Sequence, residues 1–151
     1  MKKVQRIMAA IAFSKYSRGI LEFAAQFAQR LDCELVVVNV INIRDMQAIS
    51  SIESMGYKVD PQDYVRGVEQ ERRQELEQML EHISINRERI KVVFHVGHPF
   101  EMLLRAISEE KIDMVVMGPK GRTDLKHVLV GSVAERMFRH CPVPLLSYRM
   151  K

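Results

Sequence analysis

A chain of 151 residues is of a size for one domain with a core of its own. Hydrophobic residues make up 47% and charged residues 28%, which excludes a disordered chain, and no apolar run approaches the length needed to cross a bilayer. The net charge of +4 admits an acidic ligand. Acidic and basic residues are nevertheless interleaved through 69–89, with no stacking aromatics along a basic stripe, so a nucleic-acid partner is not expected.

Lys2 and Lys3 ahead of an apolar stretch give the charge pattern of a leader, but Ser14-Lys15-Tyr16-Ser17 follows with no small-residue cleavage site. The expectation is a cytoplasmic protein whose first strand lies at 7–13, apolar on both faces as in a parallel sheet. Ser14 and Ser17 then offer turn and N-cap chemistry, and Ile20, Ala24, Phe27, Ala28 and Leu31 define one face of a helix over 18–31. Residues 35–41 read as a second, Val-rich strand. Its one polar interruption, Asn39, is expected to hydrogen-bond neighbouring backbone rather than a ligand. Cys33 and Cys141 lie far apart without Cys-x-x-Cys spacing and are expected to be buried, reduced thiols.

Residues 42–64 are the least regular stretch, either a short helix over the sheet edge or a lid, and longer than an ordinary connection. Asp60-Pro61 opens a helix with Val65, Val68, Leu76, Met79, Leu80 and Ile83 inward and Glu69, Arg72, Arg73, Glu75, Glu77 and Glu81 toward water. Strands are predicted at 90–96, 114–117 and 144–148, with a helix after Gly97-His98-Pro99 and another over 132–140. His95 and His98 straddle a strand end and a turn, so a shared metal is not expected. The β-α alternation predicts a parallel sheet with helices on both faces and a ligand crevice where the strand order reverses.

The stretch after the fourth strand carries the chemistry. Gly118 and Gly121, then Gly131 and Ser132, connect an apolar strand to a helix N-terminus, where free N–H groups and positive partial charge favour an anion. Lys120, Arg122, Lys126 and His127 add charge around it, and Ser132 with Glu135 has the S-x-x-E spacing of a capping box. Spacing alone leaves open a long surface loop whose glycines merely satisfy turns. Neither G-x-G-x-x-G nor G-x-x-x-x-G-K-[ST] is present.

The pattern G-x2-G-x9-G-[S/T] at Gly118, Gly121, Gly131 and Ser132, with IMAAIAFSKYS, LVVVNVI and VGHPFEMLLRAI earlier in the chain, resembles the universal stress protein family. The resemblance covers essentially everything but 42–64. It implies a Rossmann-like, adenine nucleotide alpha hydrolase-like α/β fold: an open five-stranded parallel sheet of order 3-2-1-4-5, dimeric through the last strand. The implied ligand is ATP, or ADP or AMP, possibly with Mg²⁺. By the same resemblance, phosphates would rest on Gly118, Gly121, Gly131 and Ser132 with the Val133 N–H, and Lys120 would reach a phosphate oxygen. Val40 would meet adenine through its main chain, with Met117 beneath the nucleoside.

Two positions depart from the family's pattern. Ala12 stands where nucleotide-binding relatives commonly carry Asp after the first strand, and Pro119 lacks an N–H inside the loop. The function expected is a nucleotide-binding regulatory stress-response protein with an unknown protein partner. The alternatives are a nucleotide-independent dimeric scaffold, and a slow ATPase for which Asp124 and His127 are the candidate residues.

Overall fold

The computed structural model describes residues 2–121 and 130–150. In chain order its elements are β1 (Arg6–Ala10), α1 (Ser17–Leu31), β2 (Glu34–Asn42), α2 (Ile43–Ser54), α3 (Pro61–Leu80), a short 3-10 turn (Arg87–Arg89), β3 (Ile90–Gly97), α4 (Pro99–Glu109), β4 (Met114–Met117), α5 (Ser132–His140) and β5 (Leu145–Ser147). The strands form a five-stranded sheet of order β3-β2-β1-β4-β5 in which every neighbouring pair is parallel. This is the strand order the sequence implied, and it reverses at β1, which pairs with β2 on one side and β4 on the other.

Alternation along the central strands sends side chains into two cores. Ile7 and Ala9 of β1 pack with Leu35 and Val37 of β2 beneath Ile20, Leu21, Ala24 and Ala28 of α1 and Leu76 and Leu80 of α3. Met8, Val36, Val38 and Val115 face the other way, onto Phe100, Leu103 and Ile107 of α4 and Ala134 and Met137 of α5. A period of two on the strands and of nearly four on the helices therefore seals both faces of the sheet.

Several local expectations are corrected. The first strand ends at Ala10 rather than at 13, because Ile11 N–H makes a last bond to Val38 O (3.0 Å) and Phe13 then turns at φ 55°. Of the two forms expected for 42–64 the helical one is found, with Asn42 capping α2 by accepting from Arg44 N–H, and α3 opens at Asp60-Pro61 as expected, Asp60 accepting from Gln62 N–H. Arg72, assigned to the wet face of α3, is buried at 6% exposure on the stripe it shares with Leu76 and Leu80. Cys33 is buried as expected, whereas Cys141 is only half-buried; burial pushes both thiols above their ordinary range.

Asp113 ties the entry of β4 to that of β1. Its carboxylate accepts from Gln5 N–H (2.8 Å) and Arg6 N–H (3.1 Å), while its own N–H donates to Arg6 O (2.9 Å). Burial works to raise this carboxyl, but the two amides and the nearby Lys2 ammonium outweigh it and hold it below the usual value.

Candidate functional site

A cleft of about 590 Å³ opens at the carboxyl ends of β1, β2 and β4, where the strand order reverses. Crossovers in such a sheet carry the chain away on opposite faces from β1 and β4, which leaves a gap above their ends. All nine residues singled out by the sequence line it: Ala12, Val40, Met117, Gly118, Lys120, Gly121, Gly131, Ser132 and Val133. Arg122, Asp124, Lys126 and His127 lie outside the described residues.

The three loop glycines serve different purposes, and none has the left-handed backbone that certain turn types reserve for glycine. A Cβ on Gly118 would come within 3.0 Å of Ile20 Cδ1, so this glycine lets the end of β4 sit close to α1. At Gly131 a Cβ would touch Lys120 Cα, Gly121 N and Pro119 O at 3.5–3.6 Å. There the backbones on either side of the excursion are nearly in contact, joined by a 2.7 Å bond from Gly131 N–H to Pro119 O. Among the described residues, a Cβ on Gly121 would meet only Ala12 Cβ, at 3.9 Å, an ordinary contact across the cleft rim. A position without a side chain there lets a ligand approach the backbone closely.

Helix α5 begins at Ser132 with Gly131 as N-cap, and no side chain among the described residues caps it. The capping box expected of Ser132 and Glu135 is therefore not formed. Ser132 is already the first helical residue, one position too late to cap, and Glu135 turns outward to Arg139 (3.0 Å). Glu135 N–H closes the first helical bond onto Gly131 O (2.9 Å). The N–H groups of Ser132, Val133 and Ala134 consequently have no partner among the described residues, and all three residues line the cleft.

The far wall is built by residues the motif did not reach. Asn42, Arg44 and Asp45 come from the start of α2, Tyr64 and Arg72 from α3, and Pro99 and Leu103 from α4. Asn39, 3% exposed, donates from Nδ2 to Ile11 O and accepts at Oδ1 from Arg72, both at 2.7 Å. The expectation that Asn39 bonds neighbouring backbone is met, and its pairing with Arg72 is new. The helical period did carry a signal, since Arg72 lies four residues before Leu76 and eight before Leu80 on one stripe; its charge argued the other way.

An open doubly wound α/β sheet with a glycine-bordered crevice at its switch point defines the class: a fold that holds ligands beyond the strands' carboxyl ends, against helix N-termini. The chain belongs to the universal stress protein family, whose model matches residues 3–149. It is similar to Universal stress protein MJ0577 of Methanocaldococcus jannaschii, at 23% identity over 97% of this chain and 96% of that one. The solved structure of that protein superposes with a TM-score of 0.76 at 20% identity, covering 99% of each chain. Universal stress protein UspA from Lactobacillus plantarum shares the fold at a TM-score of 0.73 and 19% identity, over 99% of this chain and 100% of that one. A universal stress protein solved in complex with cAMP does so at 0.64 and 18%, over 98% of each chain.

Proposed function

We propose that this stress protein binds an adenine nucleotide, ATP or its relatives ADP and AMP, in the switch-point cleft, and that occupancy regulates its engagement of a partner. The observation that carries the reading is the uncapped amino end of α5, whose amides at Ser132, Val133 and Ala134 lack partners among the described residues where Gly121 leaves the cleft open. Amides left unsatisfied at a helix N-terminus are a fit for phosphate oxygens. The relative solved with cAMP supports adenine as the base.

The chain's residues take the following parts. Gly118, Gly121, Gly131, Ser132 and Val133 cradle phosphate, with Lys120 supplying charge at the same rim. Val40, at the carboxyl end of β2, offers its main chain to the base, and Met117 lies under the nucleoside beside Ala12. Mg²⁺ would arrive with the phosphates; Asp45 is the carboxylate among the described lining residues. The missing acid at Ala12 forgoes one hydrogen bond to a charged acceptor, worth about 1.5–3 kcal/mol, and each of the amide-to-phosphate bonds at Ser132, Val133 and Ala134 would contribute as much. Phosphate contacts therefore outweigh the lost ribose contact, and affinity should follow phosphate content more than ribose chemistry.

β5 is a sheet edge with half-buried residues, which suits self-pairing into a homodimer in a cytoplasmic protein. No helix of the described residues is long and apolar enough to cross a membrane. Isothermal titration with ATP, ADP, AMP and cAMP tests the nucleotide reading: saturable heat with at least one supports it, and no heat at millimolar concentration overturns it. Ala12 favours one other reading, a nucleotide-independent partner-binding dimer, for which the same titrations would be silent while the dimer persists in light scattering.

A further inference from the structure

Strand β1 stops pairing with β2 while β2 runs on beside β3, so the chain leaving β1 loses its ladder partner in the middle of the sheet. The register ends at Ala10 opposite Val38, and Ile11 N–H makes the last main-chain bond, to Val38 O. The next acceptor, Ile11 O, would be stranded. It is taken instead by the side chain of Asn39, which stands in for the missing rung at 2.7 Å. An Arg is a donor only, so Arg72 on Asn39 Oδ1 dictates which way the amide faces and presents Nδ2 to Ile11 O. The same guanidinium lies 5.8 Å from the centroid of Phe13, the residue held at φ 55°, and Phe13 stacks in turn on Phe94 of β3 at 6.4 Å.

Ile11, Ala12 and Ser14 form the ledge of the cleft opposite Gly121, and Asn39 and Arg72 line the same cleft. We infer that Asn39 and Arg72 are positioning residues for that ledge: the pair turns the chain out of β1 into the shape that sets Ala12 beside Gly121 at the cleft rim, where the nucleoside would lie against it. The inference rests on the nucleotide reading above and adds what fixes the ledge when position 12 offers no carboxylate. A left-handed Phe reverts to ordinary backbone when nothing restrains it, so loss of the pair swings Ala12 out of place rather than merely loosening the core.

Asn39→Asp separates the two bonds. The carboxylate keeps its partner Arg72 and has no hydrogen to give Ile11 O. Titration with ADP is expected to show affinity reduced about three- to tenfold, the effect of one hydrogen bond. Amide exchange in residues 11–14 should rise while exchange in α3 stays as in the parent. Arg72→Lys retains charge and a donor but not the planar group beside Phe13, and is expected to show a smaller loss on both readouts; it carries the test if Asn39→Asp does not fold. A purely structural pair would lower the melting temperature and leave the affinity of the folded protein and the 11–14 exchange unchanged, which overturns the inference. If the parent protein binds no nucleotide, the nucleotide reading fails first, and the exchange measurement alone then decides whether the pair orders the ledge.

Discussion

Gly121 and Asn39 show how differently two residues of one cleft can be read. Gly121 belongs to a spaced motif, so its place at the cleft was legible in the sequence; spacing left open whether the glycines serve turns, and none of the three uses the left-handed backbone that certain turns reserve for glycine. Gly121→Val brings its Cβ into ordinary contact with Ala12 and is expected to change stability by no more than about 1 kcal/mol. Its side chain would fill the gap toward Ala12, and ADP affinity in calorimetry should fall at least about tenfold, the equivalent of about 1.4 kcal/mol. Asn39 and Arg72 were not legible as a pair, because hydrogen bonding between a strand and a distant helix leaves no trace in spacing. A charged residue on an apolar stripe is ordinarily moved to the wet face by any pattern argument; burial becomes acceptable only when a partner such as Asn39 is already in place. Ser132 was misread for a simpler reason, since a capping box one residue out of phase has the same letters.

Among the elements, helices and strands with a clear period appeared where expected, some ends shifted, and the irregular stretch, left open between helix and lid, is mostly helical. Helix α2 buries none of its residues fully, so its apolar period is weak, and its start depends on the Asn42 cap rather than on hydrophobic rhythm. Packing between elements adds constraints that no single segment displays. A Cβ on Gly19 of α1 would lie 2.6–2.9 Å from the ring atoms of Tyr148, which follows β5 and is braced by Phe23 at 5.7 Å. Gly19→Val should therefore cost about 1–3 kcal/mol in urea denaturation through overpacking. The β1–β4 junction adds a pH dependence. Asp113 has its carboxyl held below its unfolded value, so the folded state gains stability from it above about pH 4 and loses that gain as pH falls through the lower, folded value. Asp113→Ala is expected to lose about 1–3 kcal/mol at pH 7, from two main-chain donors left without an acceptor. The gap between parent and variant should narrow progressively in melts taken below about pH 4, as the parent's carboxyl protonates through its lowered folded value.

For the whole molecule, strand order was legible because β-α alternation and right-handed crossovers leave few arrangements, and the family resemblance selected one of them. A ligand bound only by the folded state raises stability by mass action, about 2.7 kcal/mol at a hundredfold excess over its dissociation constant. For a chain of this length that corresponds to an upward shift of melting temperature of roughly 5–11 °C, which thermal melts with ADP will detect, and Gly121→Val should cut it by about half or more. One small contact has a wider consequence. The bond from Gly131 N–H to Pro119 O latches the exit of β4 to the entry of α5 through main chain alone. No side-chain substitution at Pro119 can remove that acceptor, so the latch is insulated from sequence drift there while the cleft floor beside it keeps its form.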